Sequence, residues 1–452
     1  IEFPEISFSM SKRRVYPQDQ LQHLVELYSK GNLNQTLFET STLLSQFPNS
    51  VTLYNIQGAS HAGLQNYDSA IESYRKAISI KPNFAEAYNN MGVAQQNKAD
   101  FSGAKNSYKQ AIKINPNYAE AYNNLAKALI NGKNYKQAIN YYKQAIKLKP
   151  DYFEVYNNLG FAYQSIQNFE EAISIYKQAL KIKPDQHDVY NSLGIVYKKQ
   201  NNIKKAIYFY EKAIKIRPNY AEALINKGNC LKDQNKLDEA IDCYNRAIRI
   251  NPHYAEVWNN LGNCFNTQNN LDSAIECYKK ALMIQPVYEE AFNNIGVCYL
   301  NRGNLKNAIS SFKKAIDINP NSFEAYNNLG VSFQKINNFV KAEKNFKNAI
   351  KLKPNFSEAY FNLGNNFNEQ DNIKQAIYNL KKVMKIKPDF AETYNSYGNV
   401  FKKMFHYDEA LFNYNKAISL KPDYAEAFNN RGVLFSEVYR CNEALKDYNK
   451  AL

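Results

Sequence analysis

The chain has 452 residues, of which 44% are hydrophobic and 22% charged, and its formal net charge is +15. That composition is typical of a water-soluble protein able to bury a large core. Since no run of about 18 apolar residues occurs, we expect no transmembrane helix and no membrane partner.

In chain order, residues 1–16 form an N-terminal extension, with Met10 as a candidate natural start. The extension lacks an apolar stretch of seven or more residues, so we expect no secretory signal. A pattern of 34 residues follows and recurs almost to the end of the chain. Twelve of the fourteen prolines share its register, namely Pro48, Pro82, Pro116, Pro150, Pro184, Pro218, Pro252, Pro286, Pro320, Pro354, Pro388 and Pro422. Such a period predicts a stack of repeated structural units.

The register also gives the domain boundaries. Residues 17–50 form a degenerate first unit, with Leu24 where later units carry glycine and Thr36 where they carry alanine. Terminal units often differ because one face meets water, so we interpret it as a cap. Residues 51–424 hold eleven tandem units, and 425–452 an incomplete thirteenth. That incomplete unit leads us to expect either a chain that continues past Leu452 or packing on another copy in a homo-oligomer.

One unit, Ala255–Tyr288, shows two helical patterns, and we number each unit from the residue equivalent to Ala255. The first stripe comprises Trp258, Leu261, Gly262 and Phe265, and the second Ala274, Ile275, Tyr278, Ala281 and Leu282. Between them, Asn269-Asn270 suits a tight turn, because asparagine tolerates the left-handed conformation. Pro286 ends the second helix. Small residues at 262, 274 and 281 are expected where paired helices touch.

These residues resemble the tetratricopeptide repeat: an aromatic, Leu-Gly and a second aromatic, then alanine, aromatic, alanine and proline at fixed offsets. The resemblance covers about 17–452. It implies an all-α fold, an α-solenoid (a right-handed superhelix) of about 13 helix-turn-helix repeats. It also implies a non-catalytic scaffold for protein–protein interaction.

No chemistry-bearing motif competes with that interpretation. The five histidines occupy unrelated repeat positions without a metal-ligand partner at i+3 or i+4, and no P-loop, GxSxG or HExxH occurs. We therefore predict no enzyme activity, cofactor or metal. The cysteines Cys230, Cys264 and Cys298 share one repeat position and Cys243 and Cys277 another, which predicts buried structural thiols. A reducing compartment, and hence a cytoplasmic location, follows.

The expected lining of the groove is rich in asparagine. On a helical wheel, positions 2, 5, 6, 9, 12 and 13 of the first helix lie opposite the packing positions. Position 6 is asparagine in nine repeats: Asn90, Asn124, Asn158, Asn226, Asn260, Asn294, Asn328, Asn362 and Asn430. Asparagine is also frequent at position 5, and Asn229, Asn263, Asn365 and Asn399 place it at position 9. A carboxamide both donates and accepts, so a row of them can bind an extended peptide backbone.

The repeats AEAYNNLG and AEVWNNLG resemble those of O-GlcNAc transferase-like proteins, which implies peptide binding by the position-6 asparagines. Two alternatives stay open. The asparagines can instead reflect compositional bias and packing between helices, and the chain can be the recruiting arm of a larger glycosyltransferase- or sulfotransferase-type enzyme. A nucleic-acid partner is not favoured, because Lys127, Lys198, Lys199, Lys232, Lys335, Lys402 and Lys403 on the predicted groove have no regular spacing.

Overall fold

The computed structural model describes residues 18–452, in which every regular element is an α-helix and the helices come in pairs. The first helices are α1 (Gln18–Ser29), α3 (Val51–Gly63), α5 (Ala85–Asn97), α7 (Ala119–Asn131), α9 (Phe153–Ser165), α11 (His187–Lys199), α13 (Ala221–Asp233), α15 (Ala255–Thr267), α17 (Glu289–Asn301), α19 (Phe323–Lys335), α21 (Ser357–Glu369), α23 (Ala391–Lys403) and α25 (Ala425–Glu437). The second helices are α2 (Leu33–Gln46), α4 (Tyr67–Ile80), α6 (Phe101–Ile114), α8 (Tyr135–Leu148), α10 (Phe169–Ile182), α12 (Ile203–Ile216), α14 (Leu237–Ile250), α16 (Leu271–Ile284), α18 (Leu305–Ile318), α20 (Phe339–Leu352), α22 (Ile373–Ile386), α24 (Tyr407–Leu420) and α26 (Cys441–Ala451). The predicted all-α solenoid of helical hairpins is confirmed. The predicted extension, residues 1–16, lies outside the described residues.

The described helices belong to two compact units, one that ends at residue 226 and one that spans 227–452, and the boundary falls inside α13. Within the first unit, each helix from α2 to α11 packs on the helices before and after it, and the same holds from α15 to α25 in the second. Since short turns join the helices, neighbours run antiparallel. A single hairpin cannot cover its own apolar stripe, so stacking completes the core of each unit.

The turns follow the local chemistry of the repeat. Asn269 has a φ of 59°, the predicted left-handed conformation. Asn270 then caps α16, its side chain accepting a hydrogen bond from the Ser273 N–H at 3.3 Å. At the other end, α16 stops at Ile284, two residues before Pro286.

The small residues permit close contact inside each hairpin. A Cβ atom at Gly262 would lie 2.6 Å from Cε1 of Tyr278, which is fully buried, as are Ala274 and Ala281. Ten hairpins repeat this glycine–ring contact: in eight glycine meets a tyrosine and in two a phenylalanine. The small residues therefore lie where α15 and α16 touch, as predicted, and the structure shows that the contact is made through an aromatic ring.

First helices form the inner face of each unit. In the first unit α5 contacts α7, and in the second α17 contacts α19, and the same holds for the other successive first helices from α1 to α11 and from α15 to α25. Between successive second helices of one unit, no Cα atoms in the described residues come within 8 Å. Successive first helices are thus closer to one another than successive second helices are, so each unit curves with its first helices inside. Side chains of the first helices that point away from the second helices lie on this inner face.

The two ends of the described chain differ from the regular repeats. In the predicted cap, Leu24 and Thr36 are fully buried. In the last hairpin, Arg431 replaces the usual apolar residue of position 7 and forms two hydrogen bonds with Asp447, at 2.6 and 2.7 Å. Among residues 18–452, no helix has the length and apolar character needed to cross a membrane.

Candidate peptide-binding site

The position-6 asparagines lie on the first helices, and each donates a hydrogen bond to the repeat before it. In eight of the nine the Nδ2 atom reaches the position-5 Oδ1 atom of the preceding repeat, at 3.0–3.4 Å. The pairs are Asn90–Asn55, Asn124–Asn89, Asn158–Asn123, Asn226–Asn191, Asn294–Asn259, Asn328–Asn293, Asn362–Asn327 and Asn430–Asn395. The ninth, Asn260, donates instead to Asn229 at position 9 of the repeat before, at 3.2 Å.

Each position-6 amide keeps part of its hydrogen-bonding capacity. Within residues 18–452, none of the nine Oδ1 atoms accepts a hydrogen bond from the protein. Eight of the nine side chains are half-buried, and only Asn260 is buried, at 8% exposure. A carboxamide can accept two hydrogen bonds and donate two. The half-buried side chains can therefore accept from a ligand N–H while they stay bonded to the neighbouring repeat.

The position-5 asparagines differ from the prediction, which placed them on the groove. Seven of them are less than 9% exposed, namely Asn55, Asn89, Asn123, Asn191, Asn259, Asn327 and Asn395. Asn259 donates to the Glu290 carboxylate at 2.9 Å and Asn395 to Glu426 at 3.1 Å, each on the next first helix. Position 5 therefore joins successive repeats, because its side chain points at the adjacent helix rather than into open space.

Position 9 links the groove to the core. Asn263 accepts from the Tyr278 hydroxyl at 2.7 Å and from Asn294 at 3.0 Å. Burial raises the pKa of Tyr278 well above its ordinary value, so the hydroxyl stays protonated and can donate. Asn229 and Asn399 accept in the same way from Tyr244 and Tyr414. Asn365 has no such partner, since position 24 of its repeat is Leu380.

The repeat-phased thiols are buried, and two lysines of the predicted groove form ion pairs. The five repeat-phased cysteines are buried and free, and burial raises the pKa of Cys264 and Cys298 to about 11. Among the groove lysines, Lys127 pairs with Glu154 and Lys402 with Glu437 at 3.2 Å. Nowhere between residues 18 and 452 do three His, Cys, Asp or Glu side chains gather as a metal site would need.

Sequence reasoning found the row of position-6 asparagines and left packing between helices open, but it did not identify the partners to which these asparagines are bonded. These bonds join residues 35 apart, so they depend on how successive first helices are aligned. The sequence signal that could have pointed to them is the Asn-Asn pair that recurs at positions 5 and 6.

Family comparisons cover most of the chain. Models described as tetratricopeptide repeat match residues 151–219, 221–254, 255–288, 289–322, 323–356 and 357–390. A model described as TPR repeat matches 61–98, 100–132, 128–167 and 406–438. No curated protein matches the chain.

One solved structure of similar extent agrees with the fold. The crystal structure of the APC/C hetero-tetramer Cut9-Hcn1 is similar with a TM-score of 0.50 and 14% identity, over 93% of this chain and 96% of that one. YrrB, a TPR protein with an unusual peptide-binding site, is 27% identical with a TM-score of 0.35, over 41% of this chain and 95% of its own. MamA is 30% identical with a TM-score of 0.34, over 35% and 94%. With repeat models matching well over half of its residues, the chain belongs to the tetratricopeptide repeat family.

Proposed function

We propose that the chain is a cytoplasmic, non-catalytic scaffold that holds extended peptide segments against its position-6 asparagines. The supporting observation is the unused Oδ1 atom of each amide on the inner face of its unit. A peptide N–H that bonded to these atoms would be bound through its backbone, so partners of unrelated sequence could share the groove. The buried free cysteines fit a reducing cytoplasm.

The proposal concerns the repeats themselves. It is the same whether they act alone or as the recruiting arm of a larger enzyme. The inter-repeat bonds add one consequence. Replacing a position-6 asparagine removes both a packing bond and a ligand bond, so a simple alanine variant would confuse lost stability with lost binding.

A matched pair of variants separates the two effects. Asn328→Ala with Asn362→Ala removes two position-6 amides together with their bonds to Asn293 and Asn327. Asn293→Ala with Asn327→Ala removes the same two inter-repeat bonds but leaves both position-6 amides in place. The two double variants are therefore expected to lose similar stability.

Binding is measured on an array of unstructured peptides of unrelated sequence. We expect the position-6 variant to bind about tenfold more weakly across the peptides that the parent binds, since two hydrogen bonds each contribute about 0.5–1.5 kcal/mol. The position-5 variant keeps both accepting amides and loses only the bonds that orient them, so it should bind more tightly than the position-6 variant, though less tightly than the parent. Equal binding by the two variants, or no peptide bound by the parent, would contradict the proposal.

A further inference from the structure

Two turns near the end of the described chain carry unusual residues. Position 15 of each repeat has a left-handed φ, and Asn, Gln, Lys, Asp, Ala or Gly holds it in most repeats. Phe405 and Tyr439 hold it in the last two, each with a φ of 60°. Bulky side chains are disfavoured in that conformation. The rings of these two residues are not buried in the fold, since Phe405 is 77% and Tyr439 92% exposed, so packing does not offset the backbone strain.

A cavity lies beside these aromatic turns. It is open to solvent, has a volume of about 510 Å³, and is lined by Phe405, His406, Tyr407, Asp408, Glu409 and Val438. The Phe405 and Tyr407 rings meet edge to face with centroids 6.3 Å apart. Its lining combines two aromatic rings with the Asp408 and Glu409 carboxylates, and such a combination suits an organic cation.

Comparison with equivalent repeats shows that Asp408 lacks a partner. Four repeats carry aspartate at position 18, and in three of them position 14 of the next repeat donates to it. The pairs are Lys98–Asp68, Arg302–Asp272, and Gln268–Asp238 at 2.8 Å. In the fourth, position 14 is Val438, which has no donor. The Asp408 carboxylate has no ion pair or hydrogen bond within residues 18–452.

Nearby cations do not replace the missing donor. Lys403 pairs with Asp371 at 2.9 Å, and Arg440 pairs with Glu443. Lys402 pairs with Glu437. The surface formed by Phe405, Asp408, Val438 and Tyr439, which we name the turn-edge surface, therefore combines exposed rings with a carboxylate that has no cation.

We propose that the turn-edge surface binds an arginine-bearing segment of a partner protein. A guanidinium can stack on an aromatic ring and donate two parallel hydrogen bonds to a carboxylate. It would occupy the place that Arg302 takes beside Asp272 within the chain. The surface lies at the turns between first and second helices, so it is separate from the position-6 asparagines and does not depend on the proposed peptide groove.

The probe is a short fluorescein-labelled peptide of alternating glycine and arginine, titrated against the full chain by fluorescence anisotropy at low ionic strength. A peptide with citrulline in place of arginine has nearly the same shape without the charge. We expect the citrulline peptide to bind about tenfold more weakly, as loss of a charge-assisted bond implies. Equal binding of the two peptides would overturn the proposal.

Three variants locate the site. Asp408→Asn should weaken binding of the arginine peptide about tenfold, whereas Asp272→Asn, whose carboxylate already pairs with Arg302, should leave it unchanged. Val438→Arg introduces at position 14 the arginine that pairs with aspartate in the equivalent repeat. The new side chain should pair with Asp408, compete with the peptide, and weaken peptide binding to a similar extent. Equal effects of Asp408→Asn and Asp272→Asn, or parental binding by Val438→Arg, would place the peptide elsewhere and refute the proposal.

Stability provides an independent readout for the aromatic residues. Phe405→Asn with Tyr439→Asn introduces the residue that the other turns use, so it should raise the melting temperature while weakening peptide binding. If the rings served the fold instead, the same variant would melt earlier and bind the peptide normally, and the proposal would fail.

Discussion

Gly262→Leu tests the packing of the repeat in the middle of the stack. A Cβ atom at 262 would lie 2.6 Å from Cε1 and 2.9 Å from Cδ1 of Tyr278. Carbon atoms in contact prefer about 3.5–4.0 Å, so the ring would have to move by about 1 Å. The Tyr278 ring is fully buried and its hydroxyl is bonded to Asn263. We expect overpacking to lower the free energy of unfolding by about 1–3 kcal/mol.

The damage should stay near the substitution, because each hairpin touches only its neighbours. Hydrogen–deuterium exchange would show this directly. Amides of α15 and α16 should lose protection, while those of α3–α6 should keep it. The thermal transition should broaden and begin earlier. A single sharp transition at the parental temperature, with parental exchange in α15 and α16, would refute the reasoning.

Two other repeats supply controls for this prediction. Gly364 faces Leu380 at 3.0 Å, and a leucine side chain can adjust where a tyrosine ring cannot, so Gly364→Leu should cost less. Ala126 stands at the glycine position opposite the buried Tyr142, which shows that one hairpin accommodates a methyl group there. Gly262→Ala should therefore be milder than Gly262→Leu, also because alanine favours the helix by about 1 kcal/mol over glycine.

Two predictions concern ionisable groups that are buried or half-buried. Burial lowers the pKa of His61, with Glu72 opposing the shift, so the unfolded chain binds the proton more readily than the folded chain. The free energy of unfolding should therefore fall as the pH drops below about 6.5. In a series of melting curves at different pH, His61→Phe should remove that part of the pH dependence. Asp447→Ala should destabilise the last hairpin by about 3 kcal/mol, because it leaves Arg431 without its carboxylate, whereas Arg431→Leu with Asp447→Ser should restore most of the loss, as measured by chemical denaturation. Equal stability of the single and double variants would contradict the second prediction.

The fold class was predictable because the repeat period determines it. Each hairpin carries its own signals, such as the left-handed Asn269 and the terminating Pro286, and the contacts they prepare lie within one repeat or between adjacent ones. Gly262 against Tyr278 is such a contact, and the sequence predicts a small residue there without showing which ring it meets.

The site was less predictable because it depends on alignment between repeats. A helical wheel places positions 5 and 6 on one arc, but the structure buries Asn259 and leaves Asn294 half-buried, with a bond between them. The wheel ignores the adjacent first helix, which covers one edge of that arc. That Asp408 has no donor opposite it can be recognised only by comparing position 18 of one repeat with position 14 of the next, where Arg302 pairs with Asp272 in an equivalent place.

The inter-repeat bonds also bear on how the proposed groove would bind. A free asparagine loses side-chain entropy when a ligand immobilises it, at a cost of about 0.5–1.5 kcal/mol for a flexible side chain at an interface. Asn328 and Asn362 are already held by Asn293 and Asn327, so most of that cost is met when the chain folds. The packing and ligand-binding interpretations of the asparagines are therefore compatible. The bond that supports the stack orients the Oδ1 atom that would accept a peptide N–H.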